Sequence, residues 1–417
     1  MSVVITGIGA VTPVGGDAES TWQGLRSGKS GIQRIDYYDV SSFPVQIAGI
    51  CSDFDESRLP DSESVNYLHR GERFGVAAAA EAVESAGVEP GTYDPVDVGV
   101  VIGGSVARPE LQEFSDAFAV RQASDGHEMH RFPPAKTLQD SQNTAANEVA
   151  RLAGAQGPVV GVSTACTASA HAIGEALRMM QEGEVQMMIA GGFDALTSWC
   201  DLLGFSLLKA LTTEYNDDPE HASRPFDKNR SGFVLGEGSV VMTLEQREAA
   251  EERGANILAE LAGYGSSLNA YRMTDPPPDG GGAVIAMNAA LEEAGLTTSD
   301  VDYVVAHATS TPAGDPSETM AIKRVFGEDS SKIVVTSPKS MTGHSTCAAS
   351  ALNLLAGIYA MRDSVVSPTI NVDDQDPECD LDVVANAARE MEVDVVLVNG
   401  FAFGGTNGAL VAKKYRS

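Results

Sequence analysis

Two segments of the chain share one pattern: an apolar run that reads as a buried strand, a short polar turn, then small residues that read as a tightly packed helix. The first run reaches Val162 and breaks at Ser163-Thr164-Ala165-Cys166, before Thr167-Ala168-Ser169-Ala170. The second is Ile333 to Thr336, followed by Ser337-Pro338-Lys339-Ser340-Met341-Thr342-Gly343-His344 and a predicted helix from Ser345 to Met361. Between them lies another predicted strand, Val301-Asp302-Tyr303-Val304-Val305-Ala306. It delivers His307 at its C-terminal end, ahead of the hydroxyl-rich turn Ala308-Thr309-Ser310-Thr311.

The residues at these breaks carry chemistry. A thiol at a helix N-terminus meets the positive end of the helix dipole and unpaired backbone N–H groups, which lower its pKa and can hold an oxyanion. Cys166 alone proves little, because a free cysteine usually packs as a small hydrophobe. A histidine at the carboxyl end of a strand faces the crevice where open α/β sheets bind ligands, yet either histidine alone is more often structural. The set of Cys166, His307 and His344 is the signature of a thiol-dependent enzyme.

Composition narrows the class. The 417 residues, 43% hydrophobic with 42 glycines, suit a closely packed α/β enzyme large enough for more than one core. No cationic segment precedes an apolar core at the N-terminus, and no stretch approaches the roughly 18 apolar residues of a membrane span, so a cytoplasmic protein is expected. Cys51, Cys166, Cys200, Cys347 and Cys379 are odd in number and lack CxxC spacing, which argues against disulfides and zinc. Gly103-Gly104, Gly191-Gly192 and Gly280-Gly281-Gly282 lack the spacing of nucleotide loops, so no cofactor is expected. A net charge of -30 excludes generic nucleic-acid binding.

Four strings, Thr164-Ala165-Cys166-Thr167-Ala168-Ser169, His307 to Asp315, Lys339 to His344, and Phe403-Gly404-Gly405-Thr406-Asn407, resemble the β-ketoacyl-[acyl-carrier-protein] synthases in order and spacing. Ser223-Arg224-Pro225-Phe226-Asp227 and Gly232-Phe233-Val234-Leu235-Gly236-Glu237-Gly238 fit between them, and the similarity runs from Val3 to Val411. The resemblance implies an α/β thiolase fold, five-layered αβαβα from two similar halves, here 1–255 with the nucleophilic cysteine and 256–417 with the two histidines. It implies an acyltransferase that joins an acyl chain on Cys166 to malonyl-acyl carrier protein by decarboxylative Claisen condensation.

By the same resemblance, His307 and His344 stabilise the enolate, and the backbone N–H groups of Cys166 and Phe403 form the oxyanion hole. Lys339 and Glu318 orient the histidines and balance charge. Thr309 and Thr311 bind the phosphopantetheine arm, and Phe205 and Phe403 gate the acyl pocket. Two histidines favour malonyl-dependent elongation over an acyl-CoA-primed enzyme, and the absence of cysteine from Asn399 to Asn407 disfavours a thiolase. The presence of Cys166 disfavours a non-catalytic partner subunit.

The implied partners are the acyl carrier protein and a second subunit, in a homodimer or in a heterodimer with a chain-length factor. Carrier proteins are acidic, so a chain this acidic must gather basic residues at its pocket mouth; candidates are Arg70, Arg73, Arg131, Lys136 and Lys209. Adaptation to high salt would produce the same charge. Departures from the fatty acid pattern are Asn269, Arg272, Cys347, Ser350 and Ala402. Alanine at 402 is expected to stiffen the gate loop. Both a fatty acid role and a polyketide or polyene ketosynthase acting with a chain-length factor stay open.

Overall fold

The computed structural model describes residues 1–89, 91–106, 111–128, 141 and 143–416. Eleven strands form one sheet, in the order Asp382–Val383, Val334–Thr336, Tyr303–Val305, Val395–Phe401, Thr406–Lys413, Ala259–Leu268, Val3–Val11, Gly238–Gln246, Met187–Asp194, Val98–Gly103, Val159–Val162. The seam is the short antiparallel pairing of Val3, Val4 and Ile5 with Leu261, Glu260 and Ala259. Outward from it, each half repeats two antiparallel pairings and then two parallel ones, and the second half adds a third parallel pairing, of Val334–Thr336 with Asp382–Val383.

The repeat extends to the packing. In Val3–Val11, a Cβ on Gly7 or Gly9 would fall 2.0 and 1.9 Å from the carbonyls of Ala82 and Ala78, so helix Arg70–Ser85 rides directly on that strand. In the second half, Gly263 and Gly265 stand in the same relation to Ala290 and Ala286 of helix Gly281–Ala294. Between the half-sheets lie helices Ala168–Gln181 and Ala349–Asp363, both lined almost throughout by buried small and aliphatic residues. Outer helices, half-sheet, central helices, half-sheet and outer helices are the five expected layers.

Each central helix is entered by one 3-10 turn, Ala165–Thr167 or Thr346–Ala348. The helix expected from Ser345 therefore begins later, at Ala349. Both turns hold a non-glycine residue at positive φ just before a cysteine, Ala165 at 51° and Thr346 at 40°. That left-handed kink is unfavourable for residues carrying a Cβ, and it occurs here twice in equivalent places.

Candidate active site

Cys166, His307, His344, Thr309, Thr311, Glu318 and Phe403 line a single cavity of about 310 Å³. The kink at Ala165 turns Cys166 into it at the foot of helix Ala168–Gln181. The backbone N–H groups of Phe403 and of Cys166 itself lie close enough to the sulfur to favour its charged form. They reach it from opposite halves, Phe403 from the turn that ends strand Val395–Phe401.

The lowered thiol pKa expected from the helix N-terminus is not found. Burial, with the carboxylate of Asp194 second, pushes the Cys166 thiol up to about 12, against the downward pull of Lys339 and the two N–H groups. Cys166 therefore rests as a thiol. Local sequence showed the dipole; it did not show the enclosure or a carboxylate arriving from another strand.

The two imidazoles stand edge to face, ring centroids 5.2 Å apart. Enclosure first, then the charge of Lys339, pushes both well below the usual histidine range, so both are neutral donors near pH 7. Each Nδ1 is sealed without a partner among the described residues. A neutral ring with its proton on Nε2 leaves only an acceptor unpaired there, the cheaper arrangement.

The main chain at each histidine is held separately. Glu318 accepts from the N–H of His307 at 2.8 Å, the N–H of Ala308 at 2.7 Å and Asn399 Nδ2 at 2.9 Å. The His344 N–H donates to Val234 O at 2.8 Å, and Gly236 N–H donates back to His344 O at 3.0 Å.

Lys339 and Glu318 do not form the expected contact pair. Lys339 is 2% exposed and its Nζ has no hydrogen-bond partner among the described residues. Burial lowers its pKa to about 8, with the charges of Glu318, Cys166 and Asp315 opposing. The lysine acts through space, while Glu318 orients His307 through the backbone.

The aromatic gate is also redistributed. Phe403 lines the cavity and Phe205 does not. Phe205 packs edge-on against Phe233 at 5.9 Å, and Phe233 meets His344 at 5.5 Å and Phe403 at 6.3 Å. Phe233 is the aromatic hub; its signal was its position beside Gly232 in the Gly232 to Gly238 string, whose glycine sits at φ 147°. Ala402 lies at φ -136°, extended backbone open to any residue, and the positive angles fall on Gly404 and Gly405 at 85° each. The alanine therefore introduces no strain in this conformation.

Among the basic candidates, Lys209 lies exposed at the cavity mouth, joined there by Arg272, which pairs with Asp275 at 3.1 Å. Arg70 grips the buried Glu237 with two hydrogen bonds of 2.9 and 2.8 Å, and Arg73 pairs with Glu56, so their charges are already engaged. Arg131 and Lys136 lie outside the described residues. Asn269 donates its N–H to Gly405 O and Gly404 donates to Met273 O, each at 2.7 Å, tying the mouth loop to the Phe403 turn. Cys347 and Ser350 are buried; the Cys347 N–H and thiol both donate to Asp194. No group of three or more His, Cys, Asp or Glu side chains among the described residues is arranged to hold a metal.

Two halves repeating one sheet order, each feeding a kinked turn into a central helix, make this a thiolase-fold condensing enzyme. The N-terminal domain of beta-ketoacyl synthases matches residues 1–250 and their C-terminal domain residues 258–373; the chain belongs to the beta-ketoacyl synthase family. It is 42% identical over 416 residues to 3-oxoacyl-[acyl-carrier-protein] synthase 2 of Coxiella burnetii and 40% over 413 to that of Vibrio harveyi, each time covering 99% of this chain and 98% of the relative. A beta-ketoacyl synthase from Burkholderia phymatum superposes with a TM-score of 0.90 at 32% identity, covering all of both chains. The ishigamide ketosynthase/chain length factor superposes at 0.89 and 32%, covering 100% of this chain and 99% of that one.

Proposed function

We propose that this protein condenses an acyl group, carried on Cys166, with malonyl-acyl carrier protein. The observation that carries the reading is the convergence of two backbone N–H groups on the thiol beside two neutral imidazoles. In the first step Cys166 attacks the thioester carbonyl of an acyl-carrier protein. Its oxyanion sits between the N–H groups of Cys166 and Phe403, and the thiol proton leaves with the carrier's sulfur. In the second, malonyl-carrier protein loses carbon dioxide, and the enolate oxygen is stabilised by N–H donors of His307 and His344. The enolate carbon then attacks the acyl-Cys166 carbonyl, the C–S bond breaks, and the released thiolate takes a proton from solvent.

Thr309 and Thr311, whose hydroxyl oxygens are 3.3 Å apart, would hydrogen-bond the phosphopantetheine arm. Phe403 and Phe233, with Phe205 behind, would gate the acyl chain. Lys339 would keep the imidazoles neutral, and Glu318 would hold His307. We assign residues 1–255 to the nucleophile half and 256–417 to the histidine half. No helix among the described residues is long and apolar enough to cross a membrane, in keeping with a cytoplasmic enzyme.

A dimer is supported by the edge of the sheet. Among the described residues, strand Val159–Val162 is unpaired on its outer side with Val159 40% exposed, and helix Leu111–Ala123 buries none of its residues and exposes Leu111, Phe114 and Phe118. Such an edge calls for a cover. A second reading, a polyketide ketosynthase paired with a chain-length factor, draws on the likeness to the ishigamide ketosynthase/chain length factor. It draws also on a similar fold in a type II polyketide acyl-carrier protein in complex with its ketosynthase, matched at TM-score 0.87 and 32% identity, covering 99% of each chain.

The test is incubation with malonyl-carrier protein and acyl primers of graded length, with products and acyl-enzyme weighed by mass spectrometry. A Cys166→Ala variant that still condensed would refute the assignment. Activity of the chain purified alone favours the homodimer; activity only on co-expression with a partner favours the heterodimer.

A further inference from the structure

The turn that carries Thr309 and Thr311 is held from behind by an arginine the mechanism does not use. Arg230 has a side chain only 4% exposed. Its Nε donates to Thr311 O at 3.1 Å and its Nη2 to Pro312 O at 3.4 Å, so one guanidinium grips the carbonyls on both sides of Pro312. Nη1 donates to Asp376 at 2.6 Å and to Asp227 O at 2.9 Å. Asp315, fully buried, lies 4.0 Å from Nε and accepts the Ser310 N–H at 3.2 Å and the Phe226 N–H at 3.0 Å. Ser310 is held at φ 70°, its hydroxyl accepting the Arg224 N–H at 3.0 Å and its carbonyl the Gly232 N–H at 3.1 Å.

A rigid fork on two carbonyls flanking a pocket-lining turn, anchored by carboxylates, does more than fill space. The turn is strained at Ser310, so without the fork its threonine hydroxyls would lose their fixed direction. We infer that Arg230 is a positioning residue for the carrier's arm: by fixing the Thr311 and Pro312 main chain it aims the Thr309 and Thr311 hydroxyls at the amides of phosphopantetheine. The inference rests on the reading that these threonines bind that arm.

Lysine at 230 keeps the charge that Asp376 and Asp315 need and removes the fork. The test is steady-state kinetics of the whole enzyme with malonyl-carrier protein and with malonyl ethanethiol thioester, which has no arm amide. Arg230→Lys is expected to raise KM for the carrier substrate about tenfold, the value of one hydrogen bond, with kcat within about twofold. It should leave the ethanethiol kinetics and the iodoacetamide alkylation of Cys166 as in the wild type. Combined with Thr311→Val it should add little, since both remove the same contact.

Equal losses on both thioesters, or a lowered kcat at unchanged KM, would overturn the inference. If Thr311→Val leaves KM unchanged, the arm-binding reading fails and this inference with it. A raised KM in Thr311→Val beside a wild-type Arg230→Lys overturns this inference alone. Should Arg230→Lys not fold, Asp376→Asn loosens the same guanidinium and takes the same test.

Discussion

Replacing Lys339 by methionine is expected to make the protein more stable and its nucleophile slower. Lys339 is 2% exposed, its ammonium has no partner among the described residues, and its pKa falls from 10.5 to about 8 on folding. At about 1.4 kcal/mol per pH unit, carrying that charge into the fold costs about 3 kcal/mol at pH 7. The sign follows from proton counts. Between pH 8 and 10.5 the unfolded chain holds a proton on Lys339 that the folded one has released, so the stability of the wild type climbs with pH across that window. Below about pH 8 the penalty applies in full. Methionine has nearly the same volume and no charge, so packing changes little. Part of the gain is lost because Glu318, whose carboxyl is already raised by burial, no longer feels the positive charge.

The net expectation for Lys339→Met is about 1–3 kcal/mol of added stability at pH 7, vanishing toward pH 10.5. Denaturant midpoints of both proteins, measured from pH 7 to 10.5, read the difference directly. Alkylation of Cys166 by iodoacetamide at pH 8 supplies the second measurement: Lys339 pulls the thiol pKa down, so the variant should react several-fold more slowly. A variant no more stable than wild type at pH 7, or one whose advantage persists unchanged at pH 10.5, would refute the reasoning. Unchanged alkylation would break the electrostatic link between the lysine and the thiol.

His307→Ala and His344→Ala should each slow carbon dioxide release from malonyl-carrier protein by about 10²–10³ while Cys166 still gains the mass of an acyl group; parallel loss of acylation would contradict the division of labour. Phe233→Ala removes the ring that touches His344, Phe205 and Phe403. It should cost about 3–5 kcal/mol in unfolding free energy and shift the distribution of acyl lengths accepted. An unchanged product profile would demote it to plain core. Lys209→Glu should raise KM for the carrier protein at low salt, with the gap to wild type closing as ionic strength rises. A salt-independent gap would exclude charge steering.

Strand ends and turn residues were legible because they are local: an apolar run, a small-residue helix and a reactive side chain between them mark Cys166 and His344, and a strand end marks His307. What periodicity could not show is which distant groups meet there. Asp194 reaches Thr346 and Cys347 across more than 150 residues of chain, and its charge, with burial, reverses the expected shift at Cys166. Phe233 and Phe205 pack in one hydrophobic cluster, yet of these two only Phe233 touches the cavity, a distinction set by packing alone. The resemblance pairs Lys339 with Glu318, each beside a different histidine motif; in space the glutamate is engaged by backbone N–H groups.

The internal repeat separates Cys166, the proposed nucleophile, from its twin. Cys347 occupies the same place in its turn that Cys166 occupies in the other. Its N–H, however, donates to Asp194 at 3.1 Å, and it does not line the cavity. Matching Ile189-Ala190-Gly191-Gly192-Phe193-Asp194 to Leu397-Val398-Asn399-Gly400-Phe401-Ala402 aligns Asp194 with Ala402. The first half thus supplies a carboxylate that occupies the Cys347 N–H, whereas the second supplies a methyl group at the equivalent place, leaving the Cys166 N–H for the proposed oxyanion. Placing the carboxylate in the second half should convert one turn into the other. Ala402→Asp is expected to accept the Cys166 N–H, raise the thiol pKa further and slow acylation by about 10² or more, the value of an oxyanion donor. Ala402→Asn tests the charge by itself and should keep more of the acylation rate. Both rates can be read from the mass of the acyl-enzyme against time, and an Ala402→Asp enzyme acylated at the wild-type rate would show that the two turns are not chemically equivalent.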